Sequence, residues 1–168
     1  MDTIISQRPG TFWNNLAGLF GWIVLCFAVA ALGGWLTMLG MPAWYDSLAK
    51  PSWNPPNWIF GPVWTLLYAA MAVAAWLVWR ERGRRDVGVA LELFAVQLTL
   101  NLIWSGLFFA LRSPGLAAAE IILLWAAILA TLITFWPINR WAGMLFVPYL
   151  TWVSFASYLN FTIWRLNG

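Results

Sequence analysis

Five uninterrupted apolar stretches, at residues 16–38, 59–79, 87–111, 115–136 and 141–163, divide a chain of 168 residues. Each is close to the roughly 20 residues that an α-helix needs to cross a hydrocarbon core. Inside that core every backbone N–H and C=O must be paired within the protein, which leaves continuous helices or a closed barrel. Barrel strands read as shorter segments of alternating polarity, and these stretches do not alternate. The fold class is therefore an all-α integral membrane protein, a bundle of five transmembrane helices. Composition agrees, with 62% hydrophobic and 9% charged residues against about a quarter charged in soluble proteins. The first stretch follows Asp2 and Arg8 and is too long for a signal peptide, so it counts as helix one.

The connections are short, and no polar block is large enough for a second domain, so residues 1–168 form one transmembrane domain. The longest connection, 42–58, carries Pro42, Pro51, Pro55 and Pro56, which forbid a continuous helix. It also carries Trp44, Tyr45, Trp53 and Trp58, side chains that bury well or sit at headgroup level. That composition predicts an ordered loop rather than a solvated linker. Lysine and arginine set the orientation: Arg8, Arg80, Arg82, Arg84, Arg85 and Arg140 fall on one side, and Lys50, Arg112 and Arg165 on the other. The excess predicts an amino terminus on the inside. The cluster at 80–85 reads as a topology anchor and headgroup contact, and the net charge of +3 carries no expectation of nucleic acid in so apolar a chain.

Cys26 is alone and histidine is absent. This excludes a disulfide framework, a His-containing metal site, His-ligated haem and any imidazole triad; no metal site is expected. Glu92 and Glu120 are the carboxylates within the spans. They are functional candidates by default, or they reach the interface or pair with a neighbouring arginine. Deeper polar groups are more informative. Gln97, Asn101 and Trp104 share one face of helix three at i, i+4 and i+7. Helix two offers Trp64 and Tyr68, and helix five Trp152, Ala156 and Asn160. Buried amides must face protein, water or ligand. Interhelical glue and ligand contact both remain open for Gln97 and Asn101. The 15 tryptophans exceed what interfacial belts at ten helix ends need, which favours an aromatic pocket.

The segment WYDSLAKPSWNPPNWIFGPVWTLLY, 44–68, resembles the signature of the TspO/MBR family of tryptophan-rich sensory proteins and mitochondrial translocator proteins. QLTLNLIWSGLFF at 97–109 is similar to the family's third helix, and VPYLTW with YLNFTIWR, within 147–165, to its fifth. The resemblance implies a five-helix bundle, usually a homodimer, whose first loop folds over a pocket. It implies lipophilic ligands: porphyrins such as protoporphyrin IX, cholesterol in the animal branch, and synthetic isoquinoline carboxamides and benzodiazepines. By position, Trp64 and Trp152 match the tryptophans linked to light-dependent porphyrin breakdown. Tyr68, Asn101, Trp104, Ala156 and Leu159 match ligand-lining positions. With Trp53, Phe60 and Gln97 these make the candidate ligand-binding set. The location implied is a bacterial cell envelope, or the mitochondrial outer membrane in a eukaryote.

A tetrapyrrole stacks on aromatic faces, while its propionates need a cation or amide donors near the mouth. Lys50 is the nearest candidate cation, or else a headgroup contact. Without histidine, metal-free porphyrin, or haem held without imidazole, is the expected ligand, and no obligatory cofactor is expected. Strict sterol recognition is disfavoured: Phe161 precedes TIWR, and six residues separate Tyr158 from Arg165, beyond the one-to-five window of the sterol pattern. Three functions follow: a receptor, sensor or carrier for tetrapyrroles; a photo-oxidative enzyme acting through Trp64 and Trp152; or a sterol- or lipid-binding structural partner. For a homodimer the small-xxx-small pairs are Ala17 with Gly21, Gly106 with Ala110, and Ala126 with Ala130, each able to serve packing within one chain instead.

Overall fold

The computed structural model describes residues 9–41 and 43–168, with side chains from residue 13 onward. Pro42 and Arg8 lie outside the described residues. Among the latter, five helices are long and apolar enough to cross a membrane. They are α1 (Pro9–Gly40), α3 (Phe60–Arg80), α4 (Gly88–Ser105, continued by Gly106–Ala110), α5 (Pro114–Ile138) and α6 (Arg140–Asn167). The short α2 (Ala43–Ser47) lies in the first connection.

The helices outrun the apolar stretches that mark them. α1 extends from Pro9 to Gly40 rather than over 16–38, and α6 reaches Asn167 rather than 163. Hydropathy registers the thickness of the hydrocarbon, whereas a helix ends where its backbone is capped or broken. Asn139 supplies such a signal by accepting from the backbone N–H groups of Trp141 and Ala142 at 3.1 and 3.2 Å. α5 begins with Pro114 in its first turn, where a missing N–H is harmless. The expected helix at 87–111 is α-helical only to Ser105. Gly106–Ala110 then widens into a π-turn, closed by Leu111 N–H donating to Gly106 O at 2.8 Å. Arg112 follows in the left-handed region at φ 51°.

α1 packs on α3 and α4, α4 on α5, α5 on α6, and α6 back on α3, so the five close into a ring. The end holding the α3–α4 and α5–α6 connections is filled by aromatic rings. Phe94 stacks on Phe135 at 6.1 Å, and Phe146 and Trp22 meet Phe94 edge-on at 6.2 and 5.5 Å. The opposite end is hollow beneath the first connection. That connection is ordered by its own polar groups: Lys50 Nζ donates to Tyr45 O at 2.6 Å, and Tyr45 Oη donates to Asn54 Oδ1 at 3.0 Å. Asn167, at the end of α6, accepts from Ala49 N–H at 2.9 Å and donates to Ala49 O at 3.0 Å. Burial pushes the Tyr45 phenol above its ordinary range, against the Asn54 hydrogen bond and with help from Asp46. Tyr45 therefore keeps its proton for Asn54 across the neutral range.

Close backbone approach fixes the register of α1. A Cβ at Gly40 would lie 2.6 Å from Phe109 O and 3.0 Å from its Cα, atoms of the π-turn that cannot swing away. Gly40→Ala is expected to destabilise the bundle by about 1–3 kcal/mol, the usual cost of overpacking. Gly34→Ala, whose Cβ meets nothing within 4 Å, should leave it unchanged or slightly more stable. Thermal unfolding in detergent compares the two.

Candidate functional site

A cavity of about 450 Å³ opens between α1, α3, the end of α4 and α6, within the ~300–1,000 Å³ range of small-molecule sites. α5 contributes nothing to it. Along α1 the lining runs from Phe27 to Thr37, with the small residues Ala30, Ala31, Gly33 and Gly34 between them. The facing walls are aromatic: Phe60 and Trp64 from α3, Trp104, Phe108 and Phe109 from α4, and Trp152 from α6. Met41 and Tyr45 close it from the first connection. The described lining residues include no charged side chain.

The floor is a hydrogen-bonded layer across three helices. Tyr68 Oη donates to Asn101 Oδ1 at 2.7 Å, and Asn101 Nδ2 donates to Tyr149 Oη at 2.8 Å, with all three residues buried. Nearer the lid, Trp104 Nε1 donates to Asn160 Oδ1 at 3.0 Å, and Asn160 Nδ2 to Pro114 O at 2.8 Å. Each amide gives one N–H and its oxygen to these braces, so Asn101 and Asn160 join helices as well as line the cavity. Trp152 Nε1 is different: it is buried and has no acceptor among the described residues. Phe60 and Phe155 hold its indole edge-on and tilted at 5.9 and 5.6 Å.

Of the expected ligand-binding residues, Phe60, Trp64, Tyr68, Asn101, Trp104, Trp152, Ala156 and Leu159 line the cavity. Two do not. Gln97 lies one turn beneath the Tyr68–Asn101–Tyr149 floor, fully buried, with Nε2 3.8 Å from Met71 Sδ and Oε1 unpartnered. A shared helical face continues past the depth at which the cavity stops. Trp53 turns outward, stacking on Tyr158 at 5.1 Å and 13° and meeting Phe155 at 6.0 Å, so it pins the lid to α6. Lys50 likewise works within the lid, with its ammonium 4.6 Å from the Tyr45 ring centroid. The expected arginine partners of Glu92 and Glu120 are not found among the described residues. Glu92 is exposed, and both Glu120 carboxylate oxygens are buried without a hydrogen bond.

The α1 wall and Tyr149 escaped the sequence reading. AVAALGG at 28–34 carries the signal for the wall, but small residues in a membrane helix usually mean helix contact. Tyr149, Trp152 and Ala156 follow i, i+3, i+7, a face that was legible.

Fold and cavity together define a five-helix integral membrane protein with a lidded, aromatic, uncharged intramembrane pocket. The TspO/MBR family profile matches residues 22–165. The chain is 47% identical over 146 residues to the "Tryptophan-rich protein TspO" of Chlorobaculum tepidum, covering 86% of this chain and 92% of that one. It is 39% identical to "Protein CrtK" of Rhodobacter capsulatus, covering 87% and 90%. It is 41% identical over 126 residues to the "Translocator protein" of Homo sapiens, covering 74% and 75%. The chain belongs to the TspO/MBR family.

The floor has a measurable consequence. Asn101→Leu strands the Tyr68 donor and removes the bond to Tyr149, and interhelical bonds in membranes average about 0.6 kcal/mol with a maximum near 1.7. Two lost bonds predict a loss of about 1–3 kcal/mol in detergent unfolding. Tyr68→Phe, which removes one, should lose about half.

Proposed function

We propose that this protein is a membrane receptor or carrier for flat, lipophilic ligands of the tetrapyrrole class. The observation that carries the reading is the cavity's lining, with aromatic walls, no charge among its described residues, and a lid fastened over it. Such walls favour a broad π-surface over an ion or a sugar. The buried Trp152 N–H, which has no acceptor among the described residues, supports a ligand that brings an oxygen or nitrogen acceptor to that wall. Because the described lining holds no cation, propionates would project to the mouth, where the Lys50 ammonium has donors left beyond the one given to Tyr45. The names of the relatives, a sensory protein of Cereibacter sphaeroides and translocator proteins of animals, support a sensing or carrying role.

A second reading, photo-oxidative breakdown of porphyrin, is favoured by one observation: Trp64 and Trp152 both border the same cavity from different helices. A titration of the purified protein with protoporphyrin IX, first in darkness and then under light, separates the two. Saturable dark binding is expected, and Trp64→Phe and Trp152→Phe should each weaken it about two- to tenfold, the ~0.5–1.5 kcal/mol of an aromatic pair. Binding without photoconversion sustains the receptor or carrier. Conversion that needs both indoles transfers the function to photochemistry. Linear quenching indifferent to both substitutions defeats the tetrapyrrole reading.

The reading includes a homodimer. Ala17 and Gly21 lie exposed on α1, and a Cβ at Gly21 would meet nothing within 4 Å, so the outer face admits a second helix closely. Cross-linking in bilayers should trap dimers, and Gly21→Leu should reduce their yield several-fold.

A further inference from the structure

At the end of the bundle remote from the lid, five exposed arginines from two connections share one rim. Arg80, Arg82, Arg84 and Arg85 follow α3, and Arg140 opens α6. Arg85 Nη1 donates to Pro137 O near the end of α5, which ties the α3–α4 connection to the α5–α6 connection. Three guanidinium groups lie over indole rings: Arg80 over Trp76 at 4.6 Å, Arg82 over Trp79 at 3.3 Å and Arg140 over Trp136 at 5.9 Å. Two of these indoles are themselves anchored to α1. Trp76 Nε1 donates to Asn15 O at 2.9 Å, and Trp79 packs against Gly18.

Ring stacking orders a guanidinium while leaving its in-plane N–H donors free, and each has five. Only Arg82 and Arg85 spend one in a hydrogen bond to described protein, each on a backbone carbonyl, Trp79 O and Pro137 O. Glu81 and Asp86 sit in the same connection, yet among the described residues neither forms an ion pair with an arginine. Asp86 instead accepts from Gly88 N–H at 3.0 Å at the start of α4. The rim thus presents ordered cationic donors without a protein anion. It is not a closed pocket, and it borders outward-facing apolar side chains such as Phe20, Ile133 and Trp141, 69%, 58% and 69% exposed. An anion that fits must carry several acceptor oxygens and be held at the edge of the hydrocarbon, which is the chemistry of a lipid phosphate.

We propose that this arginine–tryptophan rim is a binding surface for the headgroups of acidic phospholipids, at the opposite end from the ligand cavity and independent of what fills it. Native mass spectrometry in mild detergent, with phosphatidylglycerol or phosphatidylcholine of identical chains added, tests it. The protein is expected to retain phosphatidylglycerol several-fold over phosphatidylcholine. Arg84→Gln with Arg140→Gln removes two arginines that hydrogen-bond to no described residue and should cut that preference several-fold, to near parity with phosphatidylcholine, since each basic residue adds to attraction at an acidic surface. Arg112→Gln with Arg165→Gln makes the same charge change at the lid end and should leave retention as it was. Equal retention of the two lipids, or equal loss in the two double variants, overturns the proposal. So does abolition of the preference by an excess of inorganic phosphate, which marks a soluble-anion site. Thermal unfolding of each variant reports its fold, and Arg84→Gln alone keeps the test decisive should the double variant fail to assemble.

Discussion

The hydrogen-bonded layer of Tyr68, Asn101 and Tyr149 is the constraint on which the rest of the bundle depends. One buried amide side chain joins α3, α4 and α6 through its oxygen and its nitrogen. Below it, aromatic rings fill the ring of helices. Above it, the same helices diverge enough to leave a cavity. An apolar floor of the same size would pack equally well but would not fix the rotation of three helices at once. The layer couples the rotation of Trp64, Trp104 and Trp152 to a single donor–acceptor pattern, because each indole sits within a turn of one of the three bonded residues.

A second constraint acts at the mouth. The lid has little regular structure, yet its backbone is tied at Ala49 to the last turn of α6 and its aromatic surface at Trp53 to Tyr158. These contacts join residues more than 100 positions apart in the chain, 118 for Ala49 with Asn167. These two contacts are made by neutral groups, in contrast to the arginines of the rim at the filled end. The described arginines are therefore unevenly divided along the axis, five at the filled end and two at the lid end.

Much of this was legible in the sequence because membrane helices advertise themselves by length and because the aromatic stripes keep helical spacing. The stripe of Trp152, Ala156 and Asn160 could be read directly, as could Trp64 with Tyr68. Depth could not: nothing in helical spacing distinguishes Asn101, at the floor, from Gln97, one turn beneath it. Trp53 was misplaced for a related reason, since a loop residue has no period to declare its direction. The small residues of the α1 wall were visible as AVAALGG but ambiguous, because in a membrane helix small residues usually mean helix contact. The π-turn at Gly106–Ala110 was hidden, as was the close approach of Gly40 to Phe109 from another helix.

The alanines and glycines between Phe27 and Thr37 in that wall set part of the cavity's capacity through backbone position rather than side-chain length. At Gly33 an added methyl would come to rest at ordinary contact distance, 3.5 Å from Ser105 Oγ and 3.9 Å from Tyr68 Oη, displacing nothing. Capacity along α1 can therefore change in steps of one carbon while the floor, the braces and the lid stay as they are. Chains sharing this fold have a route to ligands of different girth that leaves every hydrogen bond of the scaffold untouched.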